Sequence, residues 1–284
     1  MVRRFTSFVG IDLGGARGKT TAVTHLTAEG GRARVQAVST RYGGEPWVDA
    51  SILDFVGSLG DDLVVAINAP LTRPACARCT VPACPGVEDC VDPAVVWLRT
   101  EGRALAEDAG VNAAAQGGPR EVSVRRSLPQ ARSRVMPYAH RATELVLCHE
   151  RGLLPTSHVG GAVGLVAARA DHLRRRLVRA GFSLHQNLLE VSPQATLAAL
   201  FDRRRARGYK RDADPWQTRA AILEQLADLD FAPRSRMARE DALSNDHCFD
   251  ALVAAFTAYL WARDGWTLPP GPFADDGWIW APPR

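Results

Sequence analysis

The first 71 residues carry the pattern that most restricts the fold of this chain. Three stretches rich in β-branched and apolar residues follow one another with glycines between them: 4–13, 19–28 and 32–42. They predict three strands, and Gly30-Gly31 fits a hairpin turn between the last two. Helical spacing of apolar residues over 47–60 predicts a helix, and the apolar run 62–71 predicts a buried strand. The order β-β-β-α-β predicts a mixed sheet, antiparallel at one edge and parallel inside.

The rest of the chain predicts helices that flank this sheet. Apolar residues recur at helical spacing in six segments: 93–110, 137–152, 160–181, 193–208, 214–229 and 245–265. Short apolar runs at 187–193 and 276–283 predict further strands. No internal repeat and no clear linker interrupts the pattern, so we expect one α/β domain over residues 1–284. Two insertions are expected within it, a Cys-rich one at 72–93 and an irregular basic one at 111–136.

Composition is that of an ordinary globular protein. Hydrophobic residues make up 46% and charged residues 23%, and no run of about 18 apolar residues predicts a membrane span. Asp12 interrupts the N-terminal apolar stretch early and no small-residue cleavage site follows, so we interpret it as a strand and not a signal peptide. We therefore expect a cytoplasmic protein without a membrane partner. The net charge of +4 points only weakly to a polyanionic partner.

The stretch GIDLGGARGKTT at 10–21 resembles a phosphate-binding P-loop, but its spacing and context differ from one. A Walker A loop reads G-x-x-x-x-G-K-[ST] and opens a helix. Lys19 and the glycine before it match the end of that motif, but Leu13 stands where the first glycine belongs, and β-branched residues follow. We predict instead that a strand ends at Asp12 and that a glycine turn leads into a second strand. Lys19 is kept as a candidate phosphate contact.

Carboxylates stand at three further places where burial is expected. Glu190 lies inside the apolar segment NLLEVSP, and Asp246 and Asp250 are spaced i, i+4 at the start of the most apolar helix. His247 can converge with them. Burying a carboxylate without a partner costs on the order of several kcal/mol, because the charge loses its hydration. Together with Asp12 these acids predict a site for a divalent cation, Mg²⁺ or Mn²⁺, that supports phosphoryl displacement. Asp246 alone also suits the positive end of its helix.

At these motifs the chain resembles the DUF429 family, whose members are predicted nucleases of RNase H-like fold. The resemblance rests on five segments: GIDLGG, AINAPL at 66–71, LEVSP at 189–193, DHCFDALVAAFTAYL at 246–260 and GWIWAP at 277–282. Their order and spacing extend over nearly the whole chain. The resemblance implies an RNase H-like mixed sheet flanked by helices, and metal-dependent hydrolysis of a phosphodiester.

The same resemblance implies roles for individual residues. Asp12 matches the first-strand acid that anchors the metals, and Glu190 matches the acid of the E-x-x-P segment. Asp250 matches the aspartate of the last helix, with Asp246 as its neighbour. Asn68 departs from the family pattern, which has an aspartate there. An asparagine offers a carbonyl oxygen but no charge, which leaves open a one-metal site, altered chemistry or an inactive relative.

Four cysteines lie within one short segment, with spacings C-x2-C-x4-C-x5-C: Cys76, Cys79, Cys84 and Cys90. Four thiolates this close can enclose one tetrahedral Zn²⁺, and the segment is interpreted as a structural zinc site. An iron–sulfur cluster is the alternative, and free or disulfide-linked thiols are the third reading. The segment is expected to cap the sheet edge where the acids meet, or to contact substrate. Cys148 and Cys248 are isolated and are expected to pack in the interior.

Arginines concentrate in three segments, 120–141, 174–179 and 203–211. If these segments surround the acids they can hold a phosphate backbone, and Tyr138 and Tyr209 can stack on bases. Nucleic acid, DNA or RNA, is therefore the expected partner. The alternative is that these are solvated helix faces in an arginine-rich proteome.

Two other functions compete with a metal-dependent nuclease. An actin-like or sugar-kinase-like ATPase shares the β-β-β-α-β start, but the segment HVGGAVG at 158–164 lacks the aspartate of its second phosphate loop. A non-catalytic, zinc-stabilised nucleic-acid-binding protein is the third option, and Asn68 is its main support.

Overall fold

The computed structural model describes residues 5–15, 20–107, 136–153, 161–202, 204–233 and 235–283. Its contacts divide the chain into two compact units. The first comprises Met1–Leu71, Gly161–Leu268 and Trp278–Arg284, and the second comprises Thr72–Gly160 and Pro269–Gly277. Lys19, one of the predicted site residues, lies outside the described residues. So does nearly all of the predicted basic insertion at 111–136.

The first unit is built on a mixed sheet that has seven strands in the described residues. In chain order they are β1 (Ser7–Asp12), β2 (Ala22–Glu29), β3 (Arg32–Ser39), β6 (Leu63–Asn68), β7 (Leu188–Val191), β8 (Leu229–Phe231) and β9 (Ile279–Trp280). The spatial order is β8-β3-β2-β1-β6-β7-β9. β1, β2 and β3 pair antiparallel, whereas β6, β7 and β9 continue parallel from β1 and β8 runs parallel to β3. The predicted mixed sheet is thus confirmed.

Helices cover this sheet in the first unit: α1 (Asp49–Ser58), α5 (Gly161–Arg179), α6 (Pro193–Leu200), α7 (Arg205–Arg211), α8 (Pro215–Gln225), α9 (Arg236–Ser244) and α10 (Asp246–Asp264). The second unit contains α2 (Ala75–Arg78), α3 (Pro93–Arg99), α4 (Ala142–Arg151) and α11 (Phe273–Asp276), and residues 101–107 are also helical. None of the helices in the described parts of the chain is both long enough and apolar enough to span a bilayer.

Side chains of β1 alternate between two cores, as the period of a strand requires. Phe8 packs with the apolar residues of α10 on one face of the sheet. Val9 and Ile11 pack on the other face with residues of α1 and α5. Because Asp12 shares the parity of Phe8, its side chain belongs to the face that α10 covers. The predicted core helix is confirmed, since α10 is buried from Cys248 to Ala262.

Several short elements were not predicted, and one predicted helix is divided. The segment 193–208 forms two helices because the chain leaves helical geometry at Phe201, with φ −126° and ψ −141°. Ser192 caps α6 by accepting the Ala195 N–H at 3.2 Å. The unpredicted elements include β8, the helix α9, and the ribbon of β4 (Arg41–Tyr42) with β5 (Glu45–Pro46). The strands among them are only two or three residues long, too short to show a strand period.

Candidate active site

Asp12 ends β1, and two side chains hold its carboxylate there. The parallel register of β1 and β6 aligns Asp12 with Asn68, whose Nδ2 donates to Asp12 Oδ1 at 2.6 Å. The Nδ1 of His247 lies 2.6 Å from Asp12 Oδ2. The Asp12 residue is only 7% exposed. A single carboxylate therefore joins two neighbouring strands and the first turn of α10.

Helix α10 begins where it does because Asn245 caps it. The Asn245 Oδ1 accepts the backbone N–H of His247 at 2.9 Å, which satisfies an amide that the helix itself leaves unpaired. His247 thus lies in the first turn beside Asp12. Asp250 follows one turn later and is 2% exposed. The structure therefore brings the predicted residues of β1, β6 and α10 together.

Asp250 is held by two consecutive residues of α7. The Tyr209 hydroxyl donates to Asp250 Oδ1 at 2.7 Å. The Lys210 ammonium forms an ion pair with Asp250 Oδ2 and lies 3.8 Å from Asp246 Oδ2. Lys210 is thus a cation shared by two of the predicted catalytic acids. The prediction that Tyr209 stacks on bases is wrong, because this side chain is buried, with 3% exposure, and its hydroxyl is engaged.

The charge of Asp12 acts on the ionisable groups of α7 and α10 that lie near it. Burial raises the pKa of Asp250 to about 7, the negative charge of Asp12 adds to this effect, and Lys210 and Tyr209 oppose it. Burial lowers the pKa of Lys210, but the charge and hydrogen bond of Asp250 outweigh it and the net shift is upward. The hydrogen bond to Asp12 raises the pKa of His247 against the opposing effect of burial. Two carboxylates thus share a site that one lysine does not fully neutralise.

Glu190 occupies a different position from the other acids. Its strand β7 pairs with β6 so that Glu190 lies beside Ile67, on the sheet face opposite to Asp12. The Glu190 Oε2 accepts the backbone N–H of Leu71 at 2.8 Å. The structure therefore places Glu190 where it holds the chain that leaves β6, and does not add it to the pair of Asp12 and Asp250.

The glycine turn after β1 is fixed by an arginine of α5. Thr21 Oγ1 accepts the Gly14 N–H at 3.1 Å, and Arg169 Nη1 donates to Thr21 Oγ1 at 2.8 Å and to the Gly14 carbonyl. Arg169 also pairs with Asp49 at 2.7 Å. The segment after the turn is the strand β2, whereas a P-loop opens a helix. The expectation that this stretch is not a P-loop is confirmed for the described residues.

Comparison with known proteins places the chain in a family. The family model described as "Protein of unknown function (DUF429)" matches residues 10–274. The chain belongs to the DUF429 family. No curated protein and no solved structure matches it. The match begins within β1 and ends within α11, so it includes every predicted acid.

The acids of this DUF429 chain have the donor chemistry that Mg²⁺ and Mn²⁺ prefer. Asp12, Asp246 and Asp250 offer hard carboxylate oxygens in one part of the first unit, with excess negative charge. Across the described residues, however, no set of three or more His, Cys, Asp or Glu side chains is arranged as a ready metal site. The Lys210 ammonium lies against these acids instead, and His247 adds positive charge when it is protonated.

The four clustered cysteines of the DUF429 chain lie in the second unit as free thiols. Cys76, Cys79 and Cys84 are exposed, and Cys90 is half-buried. Burial and the charges of the three other thiols raise the pKa of Cys76, which indicates that the four lie near one another. The N–H of Val81 donates to Cys79 Sγ and that of Gly86 to Cys84 Sγ, each at 3.4 Å.

Proposed function

We propose that this DUF429 chain is a metal-dependent phosphodiesterase, a nuclease of RNase H-like fold. One observation carries the proposal. Asp12 of β1 and Asp250 of α10 form a buried acidic pair, and Asp250 lines a cavity whose other wall bears cationic side chains. Acidic oxygens beside cationic groups suit a divalent cation together with a phosphate.

The topology of the sheet supports the fold part of the proposal. The strands run in the order β3-β2-β1-β6-β7, with the first three antiparallel and β6 and β7 parallel to β1. This is the β-β-β-α-β start that the family resemblance implies, with α1 between β3 and β6. Asp12 then stands on the central strand, at the edge where β6 also ends.

Each residue of the site has a role that follows from its contacts. Asp12, Asp250 and Asp246 would hold the cation, which when bound acts as a Lewis acid toward phosphoryl oxygens. His247 orients the Asp12 carboxylate through its 2.6 Å contact. Tyr209 orients Asp250 through its hydroxyl. Asn68 keeps the second oxygen of Asp12 in place without adding charge, which favours one cation over two.

The experiment is hydrolysis of single-stranded and duplex DNA and RNA with Mg²⁺ or Mn²⁺. Asp12→Asn and Asp250→Asn are each expected to lower the rate of hydrolysis by more than about 100-fold. Each removes a proposed metal ligand, whereas changing a residue that only hydrogen-bonds to a ligand typically costs about 10- to 100-fold. Asp54→Asn is the matched control, because Asp54 is an exposed acid of α1. Absence of metal-dependent hydrolysis on every substrate, or full activity of Asp12→Asn, would refute the proposal.

The two alternatives make different predictions in related assays. An ATPase predicts that ATP raises the melting temperature of the protein. A non-catalytic nucleic-acid-binding protein predicts that binding persists after Asp12, Glu190, Asp246 and Asp250 are neutralised. Asn68 and the ion pair of Lys210 with Asp250 favour that second alternative, because both reduce the charge available to a metal.

For the second unit we propose a structural Zn²⁺ bound by Cys76, Cys79, Cys84 and Cys90. The hydrogen bonds to Cys79 and Cys84 support it. Metal analysis of the purified protein is expected to find about one zinc per chain, as four thiolates form one tetrahedral site. Cys84→Ser is expected to lose this zinc and Cys148→Ser to retain it. Iron with visible absorption would indicate the iron–sulfur alternative instead.

A further inference from the structure

A cavity of about 290 Å³ opens beside Asp250 in the first unit. Its lining comes from the end of β6, the start of α6 and the length of α7, and the polar part of it includes Asn68, Ser192, Gln194, Arg207, Lys210 and Arg211. Its volume lies at the lower end of the range for small-molecule sites, ~300–1,000 Å³. The cavity therefore admits one small unit of a larger substrate.

Three cationic side chains of α7 line the cavity, and one of them is already paired with acids. Lys210 is committed to Asp250 and Asp246. Arg207 and Arg211 are exposed, and neither side chain forms a hydrogen bond or an ion pair with the other residues that the structure describes. They are spaced i, i+4, so both project from the same face of α7. Two guanidinium groups thus remain for an anion.

The guanidinium pair suits phosphate better than it suits other anions. The planar fork of an arginine matches phosphate oxygens in a bidentate manner, and two forks one turn apart can share one phosphate group. Asp250 lies on the same lining, but the Lys210 ammonium is already paired with it and reduces its repulsion of an anion. A substrate with one phosphate at the arginines and its next phosphodiester linkage at the acids would use both groups of side chains.

We infer that this cavity binds one nucleotide unit of a single-stranded nucleic acid, with its phosphate on Arg207 and Arg211. The inference rests on the proposed function and names its substrate class. A duplex keeps its bases paired and presents a wide backbone surface, whereas a single strand can bring one unit into a narrow cationic cavity. The cavity then sets the position of the strand relative to Asp12 and Asp250.

The test measures binding without hydrolysis, by fluorescence anisotropy of labelled ten-nucleotide DNA and RNA strands in EDTA. Arg207→Ala/Arg211→Ala is expected to weaken binding of the preferred strand by more than tenfold. It is also expected to lower the salt slope by about 0.7, which is the contribution of one single-strand phosphate contact. Arg41→Ala/Arg239→Ala is the control, because these two exposed arginines lie outside the three basic segments and do not line the cavity, and it is expected to bind within twofold of wild type.

Competition distinguishes the sources of the phosphate. The inference predicts that unlabelled single strand displaces the probe, whereas the same sequence as a duplex, a nucleoside 5′-monophosphate and inorganic phosphate displace it at least tenfold less well. It is overturned if the duplex competes equally, if the mononucleotide competes best, or if the two arginine pairs have the same effect.

Failure of the inference differs from failure of the proposed function. Metal-dependent hydrolysis with a KM that Arg207→Ala/Arg211→Ala leaves unchanged would overturn the cavity assignment and keep the nuclease. Arginine-dependent binding of single strands without any hydrolysis would keep the assignment and overturn the nuclease.

Discussion

Gly10 of β1 lies directly beneath Ala251 of α10, where a Cβ on Gly10 would collide with the Ala251 carbonyl oxygen. The same Cβ would stand 2.8 Å from the Ala255 Cβ. The helix therefore rests on the backbone of the strand. Because Asp12 follows Gly10 by two residues and Asp250 precedes Ala251, this close approach brings the two carboxylates together.

Gly10→Ala is expected to destabilise the protein by about 3 kcal/mol or more, since overpacking against backbone atoms leaves no side chain free to move aside. Gly57→Ala is the control, because Gly57 lies in α1 and a Cβ there meets nothing within 4 Å. That change is expected to be neutral or to stabilise by up to about 1 kcal/mol. Urea unfolding measures both, and equal effects of the two substitutions would contradict the close approach.

The stability of the metal-free protein is expected to fall as pH rises from 4 to 7. The pKa of Asp250 is raised to about 7 by burial and by Asp12, so the folded state holds this proton above the pH at which the unfolded chain loses it. The stability that this proton contributes is complete below about pH 4 and lost as pH passes 7. Asp250→Asn is expected to remove this decline, which amounts to roughly 4 kcal/mol at most. Parallel pH profiles of the two proteins would contradict it.

Lys210 and Asp250 are expected to be coupled energetically. Lys210→Met leaves a buried carboxylate without its cation, and it is expected to cost about 3 kcal/mol in EDTA at pH 8. Adding Asp250→Asn should restore most of that loss, which gives a coupling of about 1–3 kcal/mol in a double-mutant cycle. Additive effects of the two substitutions would show that the ion pair contributes nothing.

Thiol labelling is expected to separate Cys248 from the cysteine segment. Burial raises the pKa of Cys248 to about 12, and the side chain is 2% exposed, so its thiolate is scarce and inaccessible at pH 8. Iodoacetamide is expected to modify Cys79 and Cys84 in zinc-free protein and to leave Cys248 intact until the protein unfolds. Rapid labelling of Cys248 in the folded protein, read by peptide mass spectrometry, would contradict this.

Much of the fold and part of the site follow from local sequence patterns. The strand ending at Asp12 and the helix containing Asp250 are visible as an apolar run and an apolar period, and strand pairing then places Asn68 beside Asp12. The ion pair of Lys210 with Asp250 joins residues that are 40 positions apart in the sequence. It forms only because α7 packs beside α10. No local pattern encodes that contact.

Tyr209 and Glu190 show why residue type alone misleads. The basic segment around Tyr209 suggested an exposed surface, but the turn after α6 directs this tyrosine inward, where its hydroxyl meets Asp250. The apolar segment around Glu190 predicted that this acid joins the other acids of the site. Strand parity assigns it to the opposite sheet face, and parity depends on a register that is set only when β7 pairs with β6.

The central claim is that Asp12 and Asp250 bind a divalent cation in place of the Lys210 ammonium. Anomalous diffraction from a crystal soaked in Mn²⁺ tests it most directly. We predict a peak with carboxylate oxygens of both residues about 2.1 Å away, as expected for a small hard cation, and Lys210 withdrawn from Asp250. No peak between the two carboxylates, with the ion pair of Lys210 and Asp250 intact, would contradict the claim.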